Sequence, residues 1–536
     1  MRRDPSDLKT GPFDVLVVGG GVYGSWMAFH AATAGLRVAL IERDDWGGAT
    51  SSASSKLLHG GLRYLEHYDF GLVRKSLQER RELTRLMPHQ VWPLRFLLPI
   101  YKDSRVGRLK MKAGLWLYDR LAGSGQPVGP HRGFSARELT SEEPLLSDRG
   151  LVGGFSYGDC GTDDFRMVLE AVASAVDHGA AACHGVAAER LLTENGRVVG
   201  ASVRDTENDE IFEITADLVV NAAGPWVNRL VDSAGPSEDS VDTAVRLTKG
   251  VHLVMPAMAS KKAVLLTSRI DGRVFFLIPW QGRTLLGTTD TNYDGDPADV
   301  RATRQDADYL LKSANDYLRE AWTLADVHGS YAGLRTLKDE AGKNPSAVSR
   351  EWVFEETRPG LWSSVGGKYT SARVDARSAV QDVLKSLGRG TLPDEQPYPA
   401  WRPDGSFHDW LPQITEDAES AGVDAEAGVS LARRHGRRTP DVLGLIRERP
   451  DLAERIEPDL PFVRAEVVQA ARSEAPRNLI DILRRRVPVL ILARLDRPTI
   501  EDAAHLAAGA HGWNEARQAS EVEAAAHFAA RAIRFE

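Results

Sequence analysis

Residues Phe13–Glu42 read FDVLVVGGGVYGSWMAFHAATAGLRVALIE. Phe13 to Val18 is mostly apolar and β-branched, the composition of a strand buried on both faces of a parallel sheet. Val22 to Ala34 predicts a helix stopped by Gly35. Leu36 to Ile41 predicts a second strand, and Glu42 closes it. Between the first strand and the helix lies Gly19-x-Gly21-x-x-Gly24. Gly19 permits a tight turn, Gly21 lets the backbone approach a pyrophosphate, and Gly24 lets the helix pack closely on the sheet. The phosphates then sit at the positive helix N-terminus, beside Gly20, Val22 and Tyr23. Glu42, followed by Arg43, is placed to accept ribose hydroxyls. A glycine-rich turn without a ligand is the alternative, and the complete strand–helix–strand–acid order disfavours it. The unit identifies a dinucleotide but does not choose between FAD and NAD.

The next segment bears on that choice. Ala49 to Tyr64 reads ATSSASSKLLHGGLRY. Its hydroxyls and free amides suit a ribityl–pyrophosphate tail lying along a loop. A flexible surface loop is the competing reading, but Leu57, Leu58, Leu62 and Leu65 are too apolar for a solvated linker.

Further along, Phe165 to His178 reads as a helix and Ala180 to Val186 as a strand. Val198 to Asp205 and Glu210 to Thr215 predict a hairpin, and Leu218 to Asn221 a separate short strand. From Val245 to Leu337 the pattern is β-rich, interrupted by an amphipathic helix over Asp306 to Trp322. Trp362 to Val365 returns to strand, and Gly366-Gly367 opens a helix near Lys368. Beyond a Pro- and Gly-containing linker, Glu416 to Glu536 is almost entirely helical in pattern. The expected class is α/β (α+β overall). A discontinuous Rossmann-like dinucleotide-binding domain spans 12–90, 150–244 and 346–387. A β-rich substrate domain of 91–149 and 245–345 is inserted into it. A linker of 388–406 and a helical domain of 407–536 follow.

With 536 residues, 42% of them hydrophobic, the chain exceeds one ordinary core. The first ten residues are polar, and no apolar run is long enough to cross a bilayer. Cys160 and Cys183 show neither CxxC spacing nor a histidine-rich neighbourhood, so a disulfide framework and a zinc site are both disfavoured. The net charge of −8 gives no bulk attraction to nucleic acid. A cytoplasmic protein without a metal or nucleic-acid partner is expected.

Several ordered motifs resemble one family. Ser51 to Phe70 (SSASSKLLHGGLRYLEHYDF) is similar to the FAD-dependent glycerol-3-phosphate dehydrogenases of the respiratory, aerobic type. So, in order, are Tyr157 to Asp164 (YGDCGTDD), Asn221 to Val227 (NAAGPWV), Leu247 to Leu253 (LTKGVHL), Phe276 to Trp280 (FLIPW), Gly287 to Pro297 (GTTDTNYDGDP), Tyr331 to Arg335 (YAGLR) and Gly366 to Lys368 (GGK). Ala465 to Arg486 looks like that family's helical cap. The resemblance implies a bound FAD, oxidation of sn-glycerol 3-phosphate to dihydroxyacetone phosphate, and a membrane quinone as acceptor. It also implies association with the inner face of the cell membrane, and a homodimer is the expected assembly. Two departures lie near the inferred site. Thr336-Leu337 stands where the family more often has Pro-Leu, and Tyr369 to Arg373 reads YTSAR where it tends to LTTYR.

Such a reaction needs an anion clamp, removal of the hydroxyl proton and hydride delivery to flavin N5. Arg335 and Lys368 are the first clamp candidates, because Arg offers a fork of donors and Lys a point charge. Arg63 and Arg273 join them by resemblance. For each, a solvated surface charge is the alternative. His59 is the first candidate for the hydroxyl proton, since imidazole titrates near neutrality; the alternatives are a structural histidine, or a cation that lowers the alcohol's pKa. The catalytic candidates are therefore His59, Arg63 and Arg335, with Tyr64 added as a substrate contact. Cofactor contacts are expected from Gly19, Gly20, Gly21, Val22, Tyr23, Gly24, Glu42, Arg43, Thr50, Ser51, Ser52, Ser55, Lys56, Leu57, His59, Gly60 and Gly61. Val186, Ala223, Gly224, Gly366, Gly367, Lys368 and Tyr369 complete that set.

Tyr101 to Arg120 (YKDSRVGRLKMKAGLWLYDR) carries six Lys and Arg against Asp103 and Asp119, with Met111, Leu115, Trp116, Leu117 and Tyr118 between them. It reads either as a surface for anionic lipid or as a solvated basic loop leading into a packed helix. Competing functions are a glycerol-3-phosphate oxidase using oxygen, a DAO-type oxidase of an amine or hydroxy acid, and a non-catalytic flavoprotein.

Overall fold

A computed structural model describes residues 1–235, 245–338, 351–394 and 397–535, with the backbone alone for Arg63, Glu66 and His67. The expected domain boundary at 345/346 lies outside the described residues.

Two sheets carry the fold. The first is built on β1 (Phe13–Val18) and β2 (Val38–Glu42), joined by α1 (Val22–Thr33). β1 pairs in parallel with β2 on one side and with β3 (Ile211–Asn221) on the other. β3 continues in parallel to Leu361–Gly366, and β2 to Ala181–His184. α1 packs against Asp164–Asp177 and Ala372–Ser386. That packing explains why its sequence is apolar almost all round: ten of its residues are buried. The N-cap of α1 is Gly21, which has no side chain to cap the helix.

The second sheet holds Val91–Tyr101, Leu151–Thr162 and the antiparallel strands from Val245 to Lys338. Within it, β4 (Val245–Met255) pairs with β5 (Gly329–Lys338) over ten residues, setting Thr248 opposite Arg335, Gly250 opposite Gly333 and His252 opposite Tyr331. Two helices, α2 (Phe70–Leu86) and α3 (Arg108–Ala122), pack on each other.

Two element expectations change. The predicted hairpin strand at 210–215 and short strand at 218–221 are one strand, β3. Its first half pairs antiparallel with Arg197–Asp205, and its second half enters the parallel sheet. A strand shared by two partners keeps both patterns in one run. The helix expected over Asp306–Trp322 runs Arg304–Asn315, opened by a Thr303–Asp306 capping box. It stops because the Asn315 amide bonds both ways to the Trp322 backbone, at 2.8 Å each.

The helical region from Phe407 onward lies against both other parts. Its helices Val489–Leu492 and Glu515–Ile533 pack on β5. Arg486, fully buried, chelates Asp45 at 2.7 and 2.9 Å, and Arg166 pairs with Glu474 at 2.7 Å. Buried charges such as these persist only when paired.

Candidate active site

The glycine turn is packed too closely on its own chain to carry side chains. A Cβ at Gly24 would stand 1.9 Å from the Gly19 carbonyl oxygen, and one at Gly20 would meet Trp46 at 2.4 Å. Glu42 accepts from the amides of Gly20 (2.8 Å) and Asp44 (2.9 Å), and burial raises its pKa above the ordinary carboxylate value. Each carboxylate oxygen keeps a lone pair for a ribose hydroxyl. The Arg43 guanidinium lies 4.5 Å over the Trp226 ring, at the same end of the cleft. The Val22 amide donates to Ser51 Oγ at 2.9 Å, which ties the serine-rich loop to the start of α1.

These groups open into a cavity of about 1850 Å³ running from Glu42 to the second sheet. Among the residues expected from sequence, its walls include Gly19, Gly21, Val22, Tyr23, Glu42, Arg43, Thr50, Ser51, Ser55, Leu57, His59, Gly61, Tyr64, Val186, Ala223, Gly224, Arg273, Arg335, Gly366, Gly367, Lys368 and Tyr369. Gly20, Gly24, Ser52, Lys56 and Gly60 stand behind the wall. Lys56 is buried in an ion pair with Asp164 at 2.5 Å. Gly60 leaves room for Leu77 and donates its amide to the Tyr118 hydroxyl at 2.9 Å. The side chain of Arg63 lies outside the described residues.

At the far end two arginines converge on one loop. Arg335 reaches Asp290 Oδ1 and Thr288 Oγ1, each at 3.1 Å, and the Thr289 carbonyl at 3.3 Å. Arg273 donates to the Asp290 carbonyl oxygen. Gly250 makes this possible, since a Cβ there would stand 2.5 Å from Arg335 Nη2. Lys368, which lines the same cavity, has its Nζ 3.5 Å from the centre of the Tyr64 ring, and the amide of His59 donates to Thr370 Oγ1 at 3.2 Å. The cluster is cationic and lies partly out of water, which suits a phosphate dianion.

His252 is a site residue that sequence reasoning missed. It is buried, stacks on Tyr331 (5.0 Å, 15°), and its Nε2 meets Ser55 Oγ at 2.9 Å. Burial first, then the charges of Arg335 and Lys56, push its pKa down to about 3. It is therefore a neutral imidazole at neutral pH. Asp290 and Thr288 were also missed. All three lie inside quoted motifs, LTKGVHL and GTTDTNYDGDP, but the strand is buried without alternation from Thr248 to Met255, so nothing in its pattern singles out His252.

The same cavity extends beneath α3. Lys110, Met111, Gly114 and Leu117 line it, together with Tyr68, Phe70 and Ile100. α3 buries Leu115, Tyr118 and Ala122, but Leu109 is 86% and Trp116 58% exposed. No helix among the described residues is long and apolar enough to cross a membrane, and no cluster of His, Cys, Asp and Glu there could hold a metal ion.

The family described as FAD dependent oxidoreductase matches residues 14–373, and that described as the C-terminal domain of alpha-glycerophosphate oxidase matches 405–518. The chain is similar to "Glycerol-3-phosphate dehydrogenase 2" of Mycobacterium tuberculosis, 38% identical over 90% of this chain and 82% of the relative. It is also similar to "D-erythritol 1-phosphate dehydrogenase" of Brucella abortus, 34% identical over 88% and 93%. Among solved structures, the glycerol-3-phosphate dehydrogenase from Bacillus halodurans complexed with FAD superposes with a TM-score of 0.78. It is 28% identical, covering 99% of this chain and 97% of its own.

Proposed function

We propose, because the chain belongs to the FAD-dependent glycerol-3-phosphate dehydrogenase family, that it oxidises sn-glycerol 3-phosphate to dihydroxyacetone phosphate and passes the electrons to a membrane quinone. FAD is its cofactor, and the glycine cradle, Glu42 and the long cavity fit that group. The observation that carries the substrate assignment is the meeting of Arg335 and Arg273 at Asp290, in a cavity that Lys368 also lines.

In this reading Arg335, Arg273 and Lys368 hold the phosphate and fix C2 of the substrate, with Arg63 joining them. Bound FAD supplies the acceptor for the hydride leaving C2. A histidine takes the hydroxyl proton. His59, beside Thr370, is the first candidate, and the neutral His252 is the second. The Gly366 and Gly367 amides line the cavity and would favour negative charge on the bound cofactor. Electron exit is supported by the branch of the cavity under α3, whose rim carries Tyr68, Phe70, Met111 and Leu117. The exposed Leu109 and Trp116, among Arg105, Arg108, Lys110, Lys112 and Arg120, suit an anionic bilayer surface at the inner face of the membrane.

The test supplies purified holoenzyme with glycerol 3-phosphate and, separately, a soluble quinone without oxygen or oxygen without quinone. Quinone reduction with little peroxide is expected; fast peroxide formation would make the protein an oxidase. D-erythritol 1-phosphate, the substrate in the Brucella relative's name, is the competitor, and a higher kcat/KM for it would reassign the substrate. Vesicles of anionic lipid should sediment the wild type and not a variant with the α3 Lys and Arg changed to Ser.

A further inference from the structure

What fixes Lys368 runs from Tyr23 in the cavity wall to Asp375 behind it. Its backbone N–H donates to the Tyr23 hydroxyl at 3.1 Å. That hydroxyl donates in turn to Asp375 Oδ2 at 3.0 Å, an oxygen that also accepts from Ser371 Oγ at 2.8 Å. The other carboxylate oxygen of Asp375 pairs with Lys75 Nζ of α2 at 2.5 Å. Asp375 is 1% exposed, whereas Lys75 reaches solvent. The Tyr23 ring stacks on Trp352, with centroids 6.0 Å apart and planes 8° from parallel. Gly367 has a φ of +89°, and a Cβ there would fall 1.8 Å from the Tyr23 hydroxyl oxygen. The turn is folded around that hydroxyl.

A phenol has one proton to give and lone pairs to receive with. The Tyr23 oxygen can accept from Lys368 N–H only while its own proton points elsewhere. An ionised carboxylate accepts and does not donate, so Asp375 draws the proton to its own side and leaves a lone pair facing Lys368. Ser371 and Lys75 hold the carboxylate in place. The latched residues Gly366, Gly367 and Lys368 all line the cavity, so loosening the turn displaces their amides and the Lys368 ammonium together.

We propose that Asp375 is a positioning residue that, through the Tyr23 hydroxyl, latches the Gly366–Gly367–Lys368 turn and so sets both the hold on FAD and the reach of Lys368 to the substrate phosphate. The substrate half rests on the function proposed above; the FAD half does not.

The test compares holoenzymes of wild type, Tyr23→Phe, Asp375→Ala, the double variant of these two, and a conservative pair, Asp375→Asn with Lys75→Met. Asn keeps an oxygen that accepts from Tyr23, and Met removes the cation its amide would otherwise face. FAD dissociation is read from flavin fluorescence, KM and kcat separately from quinone reduction, and Tm from melting. Tyr23→Phe and Asp375→Ala should each weaken FAD binding about five- to tenfold, the effect of one buried hydrogen bond, and raise KM for glycerol 3-phosphate more than they lower kcat. The double variant should match the worse single within about twofold, because both changes break one device. The conservative pair should stay near wild type. A lowered Tm with FAD dissociation and KM unchanged would overturn the proposal and leave Asp375 as a structural partner of Lys75. Multiplied effects in the double variant would overturn it as well. If Asp375→Ala does not fold, Tyr23→Phe against the conservative pair decides. If the wild type does not turn over glycerol 3-phosphate, the function fails while the FAD measurement still tests the latch.

Discussion

Arg335→Ala tests the phosphate clamp. The change removes a guanidinium that is 22% exposed and pairs with Asp290, itself 8% exposed in its side chain. Two losses add. The substrate phosphate loses a charge-assisted fork, and Asp290 loses its cation, although the Asp290 carbonyl keeps Arg273. Truncating one partner of a mostly desolvated charge contact costs about 3 to 4 kcal/mol. At 1.36 kcal/mol per decade, that is roughly a 10²- to 10³-fold fall in kcat/KM. Arg335→Lys restores the charge without the fork, and should recover most but not all of the loss. The assay is anaerobic stopped-flow reduction of the flavin by glycerol 3-phosphate, repeated with unphosphorylated glycerol and with inorganic phosphate as inhibitor. The loss should be confined to the phosphorylated substrate, and phosphate inhibition should weaken in parallel. A fall of less than about threefold, or an equal fall with glycerol, would refute the assignment of Arg335 to the phosphate.

Three further outcomes are expected. Gly24→Ala places a methyl 1.9 Å from the Gly19 carbonyl oxygen, so the variant should purify without yellow colour; a full complement of FAD would contradict the reading of the turn. Arg486→Met leaves the buried Asp45 with Arg485 alone and should cost about 3 kcal/mol or more in urea unfolding, whereas a change under about 1 kcal/mol would mean the helical region is not anchored there. Burial, the largest cause at each, holds His30 and His252 down to about 3 and His184 and His435 to about 4. The unfolded chain protonates these groups near pH 6.5, so it binds more protons than the folded one across the window below that pH. The stability these histidines contribute is therefore fully present above about pH 6.5 and is lost on acidification towards the folded values; a Tm that stays flat from about pH 7 to 5 would contradict this.

The parts of the fold that were legible are local ones. Gly24 meets backbone within a few residues and Gly19 meets it across one strand, so their role follows from spacing. Gly366-Gly367-Lys368 was legible as a helix entry, but what Gly367 makes room for is the Tyr23 hydroxyl, distant in sequence. What was not legible depends on long-range pairing. Asp45 and Arg486 are separated by 441 residues, and no pattern in either segment announces the other. His252 sits in a run that reads as ordinary buried strand, and only its register opposite Tyr331 and its bond to Ser55 reveal it. Asp290 and Thr288 look like turn residues until Arg335 is brought to them by β5. Lys56 illustrates the reverse case. A lysine in a cofactor loop suggests a phosphate contact, but its ammonium is held by Asp164 and the Ser52 carbonyl, both at the back of the loop. The merged strand 211–221 shows why hairpin and sheet signals were read apart: one strand changes partners halfway along.

The most direct test of the account is an anaerobic titration of the purified yellow protein with sn-glycerol 3-phosphate, followed by flavin absorbance. One equivalent per bound FAD should bleach the oxidised band, and a soluble quinone added afterwards should restore it. An oxidised band that survives excess substrate while a chemical reductant removes it would contradict the central claim that this cavity oxidises glycerol 3-phosphate.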